Sequence, residues 1–174
     1  KRAGYESDRV RLMLYTRSSG RIGELSKDVD QHVGRTAWAP RSDGLYFSAG
    51  NNDGTTQLWH ITRHGTAKVV TSGNYYCAAR TLEVMPDGKS VIMSREDYFN
   101  PTELYKVEVA TGGMKQLTHL NDDAYENIDK GKFEARWITS TDSANVHCWV
   151  IYPPDFYPNK KYPMITYCQG GPQM

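Results

Sequence analysis

The sequence predicts a mainly β protein whose larger part is a partial β-propeller of about two and a half four-stranded blades. The chain carries twelve tyrosines, four tryptophans and fifteen glycines, a load of aromatic and turn-forming residues that is typical of short strands joined by tight turns. A pattern of about 46 residues repeats over residues 1–118. After residue 120 this period breaks, and a differently patterned segment begins.

The repeat is visible when residues 35–71 are aligned with residues 80–118. Matching positions 46 residues apart are Pro40 and Pro86, Ser48 and Ser94, and Leu58 and Leu104. A partial third copy lies around Leu14, 44 residues before Leu58. Four short strands in about 45 residues is the spacing of a propeller blade. One blade cannot bury both of its faces, so blades stack around an axis, and this number of blades is too small to close a ring.

Each full copy predicts four antiparallel strands. The predicted strands are 36–39, 45–49, 56–62 and 67–71 in the first copy, and 81–85, 90–94, 103–109 and 114–118 in the second. Asp43-Gly44 and Asp87-Gly88 indicate hairpins, because glycine supplies the positive φ of a type I′ turn without steric cost. Large apolar residues at matched positions predict the core between the blades: Trp38, Phe47, Leu58, Trp59, Val84, Ile92, Leu104 and Tyr105.

Beyond the propeller blades of residues 1–120, residues 121–132 predict a polar linker and residues 133–174 a second domain. The linker's acidic residues do not have the spacing or the glycine of a calcium loop. Strands are predicted at 134–142 and 145–154, with a turn at Asp142-Ser143 between them. The apolar run "MITYC" (164–168) predicts a third, buried strand, and a Gly-Gly-Pro turn follows it.

Residues 137–173, "WITSTDSANVHCWVIYPPDFYPNKKYPMITYCQGGPQ", placed after a propeller, resemble the serine peptidases of the prolyl oligopeptidase family, and within it the acylaminoacyl-peptidase and dipeptidyl-peptidase V branch. That family has a strand, Asp-Gly, a strand ending in Trp-x-x-x-Pro-Pro, a loop ending in Tyr-Pro, an apolar strand and His-Gly-Gly-Pro. The residues that fit are Trp149, Pro153, Pro154, Phe156, Tyr162, Pro163, Gly170, Gly171 and Pro172. The sequence departs at Ser143, where the family has glycine, and at Gln169, where it has histidine.

The resemblance implies that residues 133–174 are the first strands of an α/β-hydrolase domain, with Gln169, Gly170 and Gly171 as its oxyanion loop. In such a loop, backbone N–H groups come within about 3 Å of the oxyanion, and a Cβ would obstruct that approach. Gln169 keeps a side-chain donor in place of histidine. From Gly-Gly-Pro alone a plain tight turn would be favoured, but the motif residues upstream favour the oxyanion loop.

The catalytic triad is not expected within this chain. No Gly-x-Ser-x-Gly occurs in it, and in this fold the serine, the acid and the histidine all follow the loop. The nucleophile, acid and histidine are therefore expected after Met174, and the chain is expected to be an inactive fragment. The histidines are expected to be surface or packing residues: His32, His60, His64, His119 and His147. Their spacing gives no metal site, and no cofactor is predicted.

The resemblance implies a parent serine peptidase that releases dipeptides or acylated residues from peptide N-termini, with the propeller gating access. Its implied partners are short peptides and the remainder of the parent chain, with a homodimer left open. A net charge of +1, from 21 basic and 20 acidic residues, does not favour nucleic acid or a membrane surface. A non-catalytic binding propeller and an inactive peptidase relative are the alternatives. Residues 133–173 argue against the first.

Three widely spaced cysteines, Cys77, Cys148 and Cys168, contain no CxxC pair, and free thiols are the favoured interpretation. A Cys148–Cys168 disulfide is left open, because it would depend on export of the parent protein. The location of the parent is not determined; the bacterial periplasm or secretion is favoured, and the cytoplasm is the alternative.

Overall fold

The computed structural model describes residues 2, 4, 5 and 8–168, and its regular structure is almost wholly β-strand. The described part of the chain contains twelve strands and one helix of a single turn. No helix among these residues has both the length and the apolar character needed to cross a membrane. The mainly β class predicted from the sequence is therefore confirmed.

Two complete four-stranded units form the centre of the structure. The first contains β3 (Thr36–Trp38), β4 (Gly44–Gly50), β5 (Thr56–Thr62) and β6 (Ala67–Val69). The second contains β7 (Tyr76–Val84), β8 (Ser90–Glu96), β9 (Glu103–Glu108) and β10 (Met114–Gln116). Consecutive strands in each unit pair antiparallel, and one parallel pairing of Thr56 with Tyr76 joins the units. The two blades predicted from the repeat are confirmed.

A two-stranded hairpin precedes them and corresponds to the partial third copy of the repeat. It consists of β1 (Met13–Thr16) and β2 (Arg21–Glu24). The segment after β2 packs Leu25, Val29 and Val33 against Phe47 and its neighbours on the first complete blade. This face of the blade is covered in consequence, and Phe47 is fully buried.

The hairpin turns differ in detail from the predicted type I′ turns. In the first complete blade, Ser42 has a φ of 53°, whereas Gly44 is the first residue of β4. In the second, Gly88 has a φ of 66°. The N–H groups of Ser42 and Gly88 donate at 2.8 Å to the carbonyls of Ala39 and Met85, so each turn closes around a proline. Glycine at position 44 serves close packing instead, because a Cβ there would lie 2.6 Å from His60 Nε2.

The core between the two complete blades only partly matches the prediction. Leu58 is fully buried, as predicted, but its partners in the second blade are Val91, Met93 and Val107. The half-buried residues are Trp59, Val84, Ile92, Leu104 and Tyr105. Alternate strand residues point to opposite faces, so on β8 the prediction selected the face that the first blade does not cover. Trp38 is 48% exposed at the end of β3, so it does not contribute to the core of this chain.

After the blades, the predicted linker contains helix α1 (Asp122–Tyr125), none of whose residues is buried. Strands β11 (Phe133–Thr139) and β12 (Asn145–Ile151) then form a hairpin in which Phe133 pairs with Ile151 and Thr139 with Asn145. The predicted strand pair and its turn are confirmed. Ser143 takes the left-handed conformation in that turn, with a φ of 67°, at the place where glycine would be unstrained.

The prediction of a third strand at residues 164–168 is wrong. No regular structure is assigned there, and Met164, Ile165 and Tyr167 are exposed, Ile165 by 93%. A strand depends on a hydrogen-bonded neighbour, and among the described residues no strand lies alongside this segment. Apolar composition alone therefore did not determine its conformation.

Candidate functional site

The predicted oxyanion residues Gln169, Gly170 and Gly171 lie outside the described residues, so their geometry is not tested. The structure does describe the segment that leads to them. That segment consists of the β11–β12 hairpin and residues 152–168, together with their contacts to the propeller blades. We refer to these contacts as the junction.

A set of charge-assisted hydrogen bonds fixes the base of the hairpin. The Tyr152 hydroxyl donates to Glu134 Oε1 at 2.6 Å and accepts from Arg136 Nη2 at 2.6 Å, while Arg136 Nε also donates to Glu134 Oε1. The donated bonds from Tyr152 and Arg136 lower the pKa of Glu134. The bond to Glu134 likewise raises the pKa of Tyr152. Tyr152 is thereby fixed immediately before the Pro153-Pro154 pair of the family motif.

The loop after Tyr152 is held by contacts between tilted aromatic rings. Tyr152 and Phe156 have ring centroids 4.4 Å apart, and Phe156 and Tyr162 have theirs 5.1 Å apart. The backbone N–H of Tyr157 donates to the Tyr162 hydroxyl at 3.0 Å. The motif residues Phe156 and Tyr162 are therefore in contact across the proline-rich loop. Their contact folds the loop back on itself.

The hairpin packs on the second complete blade through an aromatic cluster. Tyr98 and Phe99 belong to the connection between β8 and β9 and contact Phe133 at centroid distances of 5.1 and 5.5 Å. Trp149 lies 5.5 Å from both Tyr98 and Phe133. Partial removal from water, with the neighbouring Tyr76 hydroxyl, raises the pKa of Tyr98. The motif tryptophan Trp149 thus serves to anchor the hairpin to a blade.

His147 makes a second contact, with the first complete blade. Its ring lies between Trp137 and Trp149, at centroid distances of 4.9 and 5.1 Å in edge-to-face geometry. Its Nε2 atom is buried, with no hydrogen-bond partner in the described residues. The ring covers Gly54, which has a φ of 72°, and a Cβ on that glycine would lie 2.6 Å from Nδ1 and closer still to Cε1. The prediction that His147 is a packing residue agrees with this position.

Two other histidines, His60 and His119, have partners away from the junction. His60 stacks beside Tyr46 at 4.8 Å, and burial followed by the charge of Lys68 lowers its pKa. His119 Nδ1 lies 2.8 Å from Asp122 Oδ2 on the surface. In the region that the structure covers, no three His, Cys, Asp or Glu side chains are grouped as they would be around a metal ion.

The three cysteines are free thiols, and they differ in exposure. Cys77 is fully buried, and this burial raises the pKa of its thiol from 9.0 to about 12. Cys148 is half-buried, whereas Cys168 is exposed. The disulfide left open by the sequence is therefore not formed.

Sequence reasoning missed the contributions of Gly54, Tyr98 and Phe99 to the junction. The only signal for the latter pair was two adjacent aromatic residues within "EDYFNP", a stretch otherwise rich in turn formers. Gly54 gave no signal, because its role depends on a histidine ring that is far away in the sequence.

Comparisons with known proteins agree with this organisation, although no family model matches the chain. The chain is 35% identical to dipeptidyl-peptidase 5 of Porphyromonas gingivalis over 99% of its length. Its sequence is thus similar to part of the dipeptidyl-peptidase 5 proteins. The match covers 25% of the bacterial protein, so the chain spans about a quarter of the length of that relative.

Two solved structures share the fold of this chain. Acylaminoacyl peptidase of Pyrococcus horikoshii superposes with a TM-score of 0.70 at 18% identity, over 94% of this chain and 24% of the peptidase. The β-propeller domain of the trilobed protease of Pyrococcus furiosus gives a TM-score of 0.51 at 22% identity, over 69% of this chain and 34% of that domain. The propeller architecture is therefore confirmed, and the sequence match to dipeptidyl-peptidase 5 bears out the resemblance to the dipeptidyl-peptidase V branch.

Proposed function

We propose that the chain forms the end of the propeller and the start of the hydrolase domain of a serine peptidase. The observation that carries the proposal is the 35% identity to dipeptidyl-peptidase 5 over 99% of the chain, which includes both the blades and the junction. The proposed boundaries are residues 1–120 for the blades, 121–132 for the linker and 133–174 for the hydrolase part. The proposed reaction is the release of dipeptides or acylated residues from peptide N-termini.

In this proposal the backbone N–H groups of Gly170 and Gly171 stabilise the oxyanion of the tetrahedral intermediate, and Gln169 supplies a side-chain donor. Such donors act mainly in the transition state, where the negative charge develops. The nucleophilic serine, the acid and the histidine would come from sequence after Met174. The present chain alone would then lack peptidase activity, since covalent catalysis needs a nucleophile activated by a neighbouring base.

The junction supports a role for the hairpin in positioning this loop. Phe133 and Trp149 are fixed to the second complete blade, and Tyr152 is fixed to Glu134 at the hairpin base. The proline-rich loop that follows is held by Phe156 and its ring partners. In the proposed enzyme, the propeller therefore holds the start of the hydrolase domain and also gates the entry of short peptides.

The test is a comparison of the full-length wild-type protein with its Gly171→Val variant on a chromogenic dipeptide substrate. We expect the variant to lose about 100-fold or more in kcat with a smaller change in KM. The added side chain obstructs the approach of the oxyanion to the backbone N–H, and loss of one oxyanion contact has an effect of this size. Circular dichroism establishes that the variant is folded. A folded variant with near-normal kcat would show that the loop is only a structural turn.

Labelling with a fluorophosphonate probe separates the catalytic proposal from its alternatives. Labelling of the full-length protein, and none of the 174-residue chain, is the expected result. A folded full-length protein that neither turns over peptides nor takes up the probe would instead be a non-catalytic binding propeller or an inactive peptidase relative.

A further inference from the structure

An open cleft lies between the β1–β2 hairpin and the first complete blade. Its volume is about 350 Å³, and it is lined by Leu14, Tyr15, Thr16, Arg17, Ser18, Trp38, Ser42 and Arg63. Trp38 and Tyr15 are 48% and 58% exposed in it. Tryptophan, tyrosine and arginine are the residue types that contribute most to the binding energy of protein interfaces. The cleft therefore combines two exposed aromatic rings with two guanidinium groups.

The cleft lies at the end of the blades that faces away from the β11–β12 hairpin. In an antiparallel blade, the first and third connections lie at one end and the second connection at the other. Trp38, Ser42 and Arg63 belong to the first and third connections or their borders. Gly54, which meets His147 of the hairpin, belongs to the second. We call the end that carries the cleft the turn face.

The two ends differ in charge. On the turn face, the connections 17–20, 39–43 and 63–66 each contain one arginine, and Asp43 is the single acidic residue among them. At the opposite end, the connections 51–55 and 97–102 contain Asp53 and Asp97 and no lysine or arginine. Among the described residues, Arg17 and Arg63 form no ion pair. The three connections beside the cleft therefore carry a net positive charge, whereas the equivalent connection of the second complete blade, residues 85–89, is balanced by Asp87 and Lys89.

We propose that this cleft binds a carboxylate-bearing segment of a peptide. The planar guanidinium groups of Arg17 and Arg63 match a carboxylate in geometry and charge. Trp38 and Tyr15 offer flat apolar surface to the side chain next to that carboxylate, and the Ser42 hydroxyl adds a hydrogen-bonding group. The inference does not depend on peptidase activity, since every residue in it lies on the turn face.

The test measures fluorescence anisotropy of a fluorescein-labelled peptide that contains two adjacent glutamates flanked by leucine and tyrosine. The reference peptide has glutamine in place of both glutamates. The full-length protein is treated with a fluorophosphonate beforehand, so that any cleavage does not consume the peptide. We expect the glutamate peptide to bind about tenfold more tightly than its glutamine counterpart. Its affinity should fall as NaCl screens the charges.

Variants locate the binding. R17A/R63A should lower the affinity for the glutamate peptide about tenfold. The melting temperature should not fall, because both side chains are exposed and make only surface contacts. The matched control is K106A/K115A, which removes the same charge from a cross-strand pair on the second complete blade. It should change the affinity by less than about twofold, since distant sites act independently. Trp38→Ala should lower the affinity for both peptides.

Three results would overturn the proposal. Equal affinity for the glutamate and glutamine peptides would show that carboxylates are not recognised. Equal losses in R17A/R63A and K106A/K115A would show that only the overall charge matters. A single-stranded RNA oligonucleotide that displaces the glutamate peptide at lower concentration than an unlabelled copy would show that the cleft prefers phosphates.

Discussion

Replacement of Gly54 by alanine should disrupt the contact between the first complete blade and the β11–β12 hairpin. Two effects combine at this position. The φ of 72° is unfavourable for any residue with a Cβ, and the new methyl group would overlap the His147 ring. The ring has little room to move, because Trp137 and Trp149 flank it.

The destabilisation caused by Gly54→Ala can be worked out by comparison with Gly88. The φ of Gly88 is 66°, but a Cβ added there would meet only Pro40, at an ordinary 3.6 Å. Gly88→Ala therefore carries backbone strain alone, about 1 kcal/mol after allowance for the unfolded chain. Gly54→Ala adds the loss of two edge-to-face aromatic contacts, each of which contributes about 0.5–1.5 kcal/mol. The expected destabilisation is about 1 kcal/mol for Gly88→Ala and about 2–4 kcal/mol for Gly54→Ala.

Urea unfolding measures both values, with far-UV circular dichroism for the whole chain and tryptophan fluorescence for the junction, where Trp137 and Trp149 lie. A double-mutant cycle with His147→Ala isolates the overlap. In the His147→Ala background, Gly54→Ala should destabilise no more than Gly88→Ala does. Equal destabilisation by Gly54→Ala and Gly88→Ala in the wild-type background would refute the reasoning, because it would mean that the His147 ring is not wedged over Gly54.

Three further predictions follow from single residues. Ser143→Gly should raise the free energy of unfolding by about 0.5–1 kcal/mol, because it relieves a left-handed residue at a φ of 67°; an unchanged urea midpoint would contradict this. Leu58→Ala should lower the free energy of unfolding by about 2–5 kcal/mol, because it leaves a cavity among Val91, Met93 and Val107. The control Leu120→Ala, at an exposed site, should have almost no effect. The pKa of Cys77 is about 12 in the folded chain against an ordinary 9.0, so its contribution to stability is complete below pH 9 and declines as the pH rises toward 12. A thiol reagent at neutral pH should accordingly modify Cys168 at once and Cys77 only after unfolding.

Local patterns predicted the blades well, because each strand and turn leaves its mark within a few residues. The matched prolines Pro40 and Pro86 lie in equivalent turns. All eight predicted strands of the two complete blades are present, although β7 begins at Tyr76, five residues before its predicted start. The choice of buried residues was less successful. On β8 the sequence offers apolar residues to both faces, and only the position of the neighbouring blade decides that Val91 and Met93 are buried.

Contacts between distant segments could not be predicted in the same way. His147 and Gly54 belong to different repeats of the pattern, and nothing near either residue indicates the other. The "MITYC" segment failed for a related reason, because a strand requires a partner that its own sequence does not specify. For the candidate site, the motif residues Trp149 and Tyr162 make aromatic contacts that the motif itself did not predict, and the oxyanion residues remain a prediction.

The single backbone pairing between Thr56 and Tyr76 has a consequence for how neighbouring blades are spaced. Since the two complete blades share so little main-chain hydrogen bonding, the layer of side chains around Leu58 and Met93 acts as the spacer that sets their separation and tilt. A bulkier residue there would splay the blades, and a smaller one would let them close. In such an arrangement the diameter of a propeller is governed by side-chain volume, which single substitutions can alter without disturbing any strand.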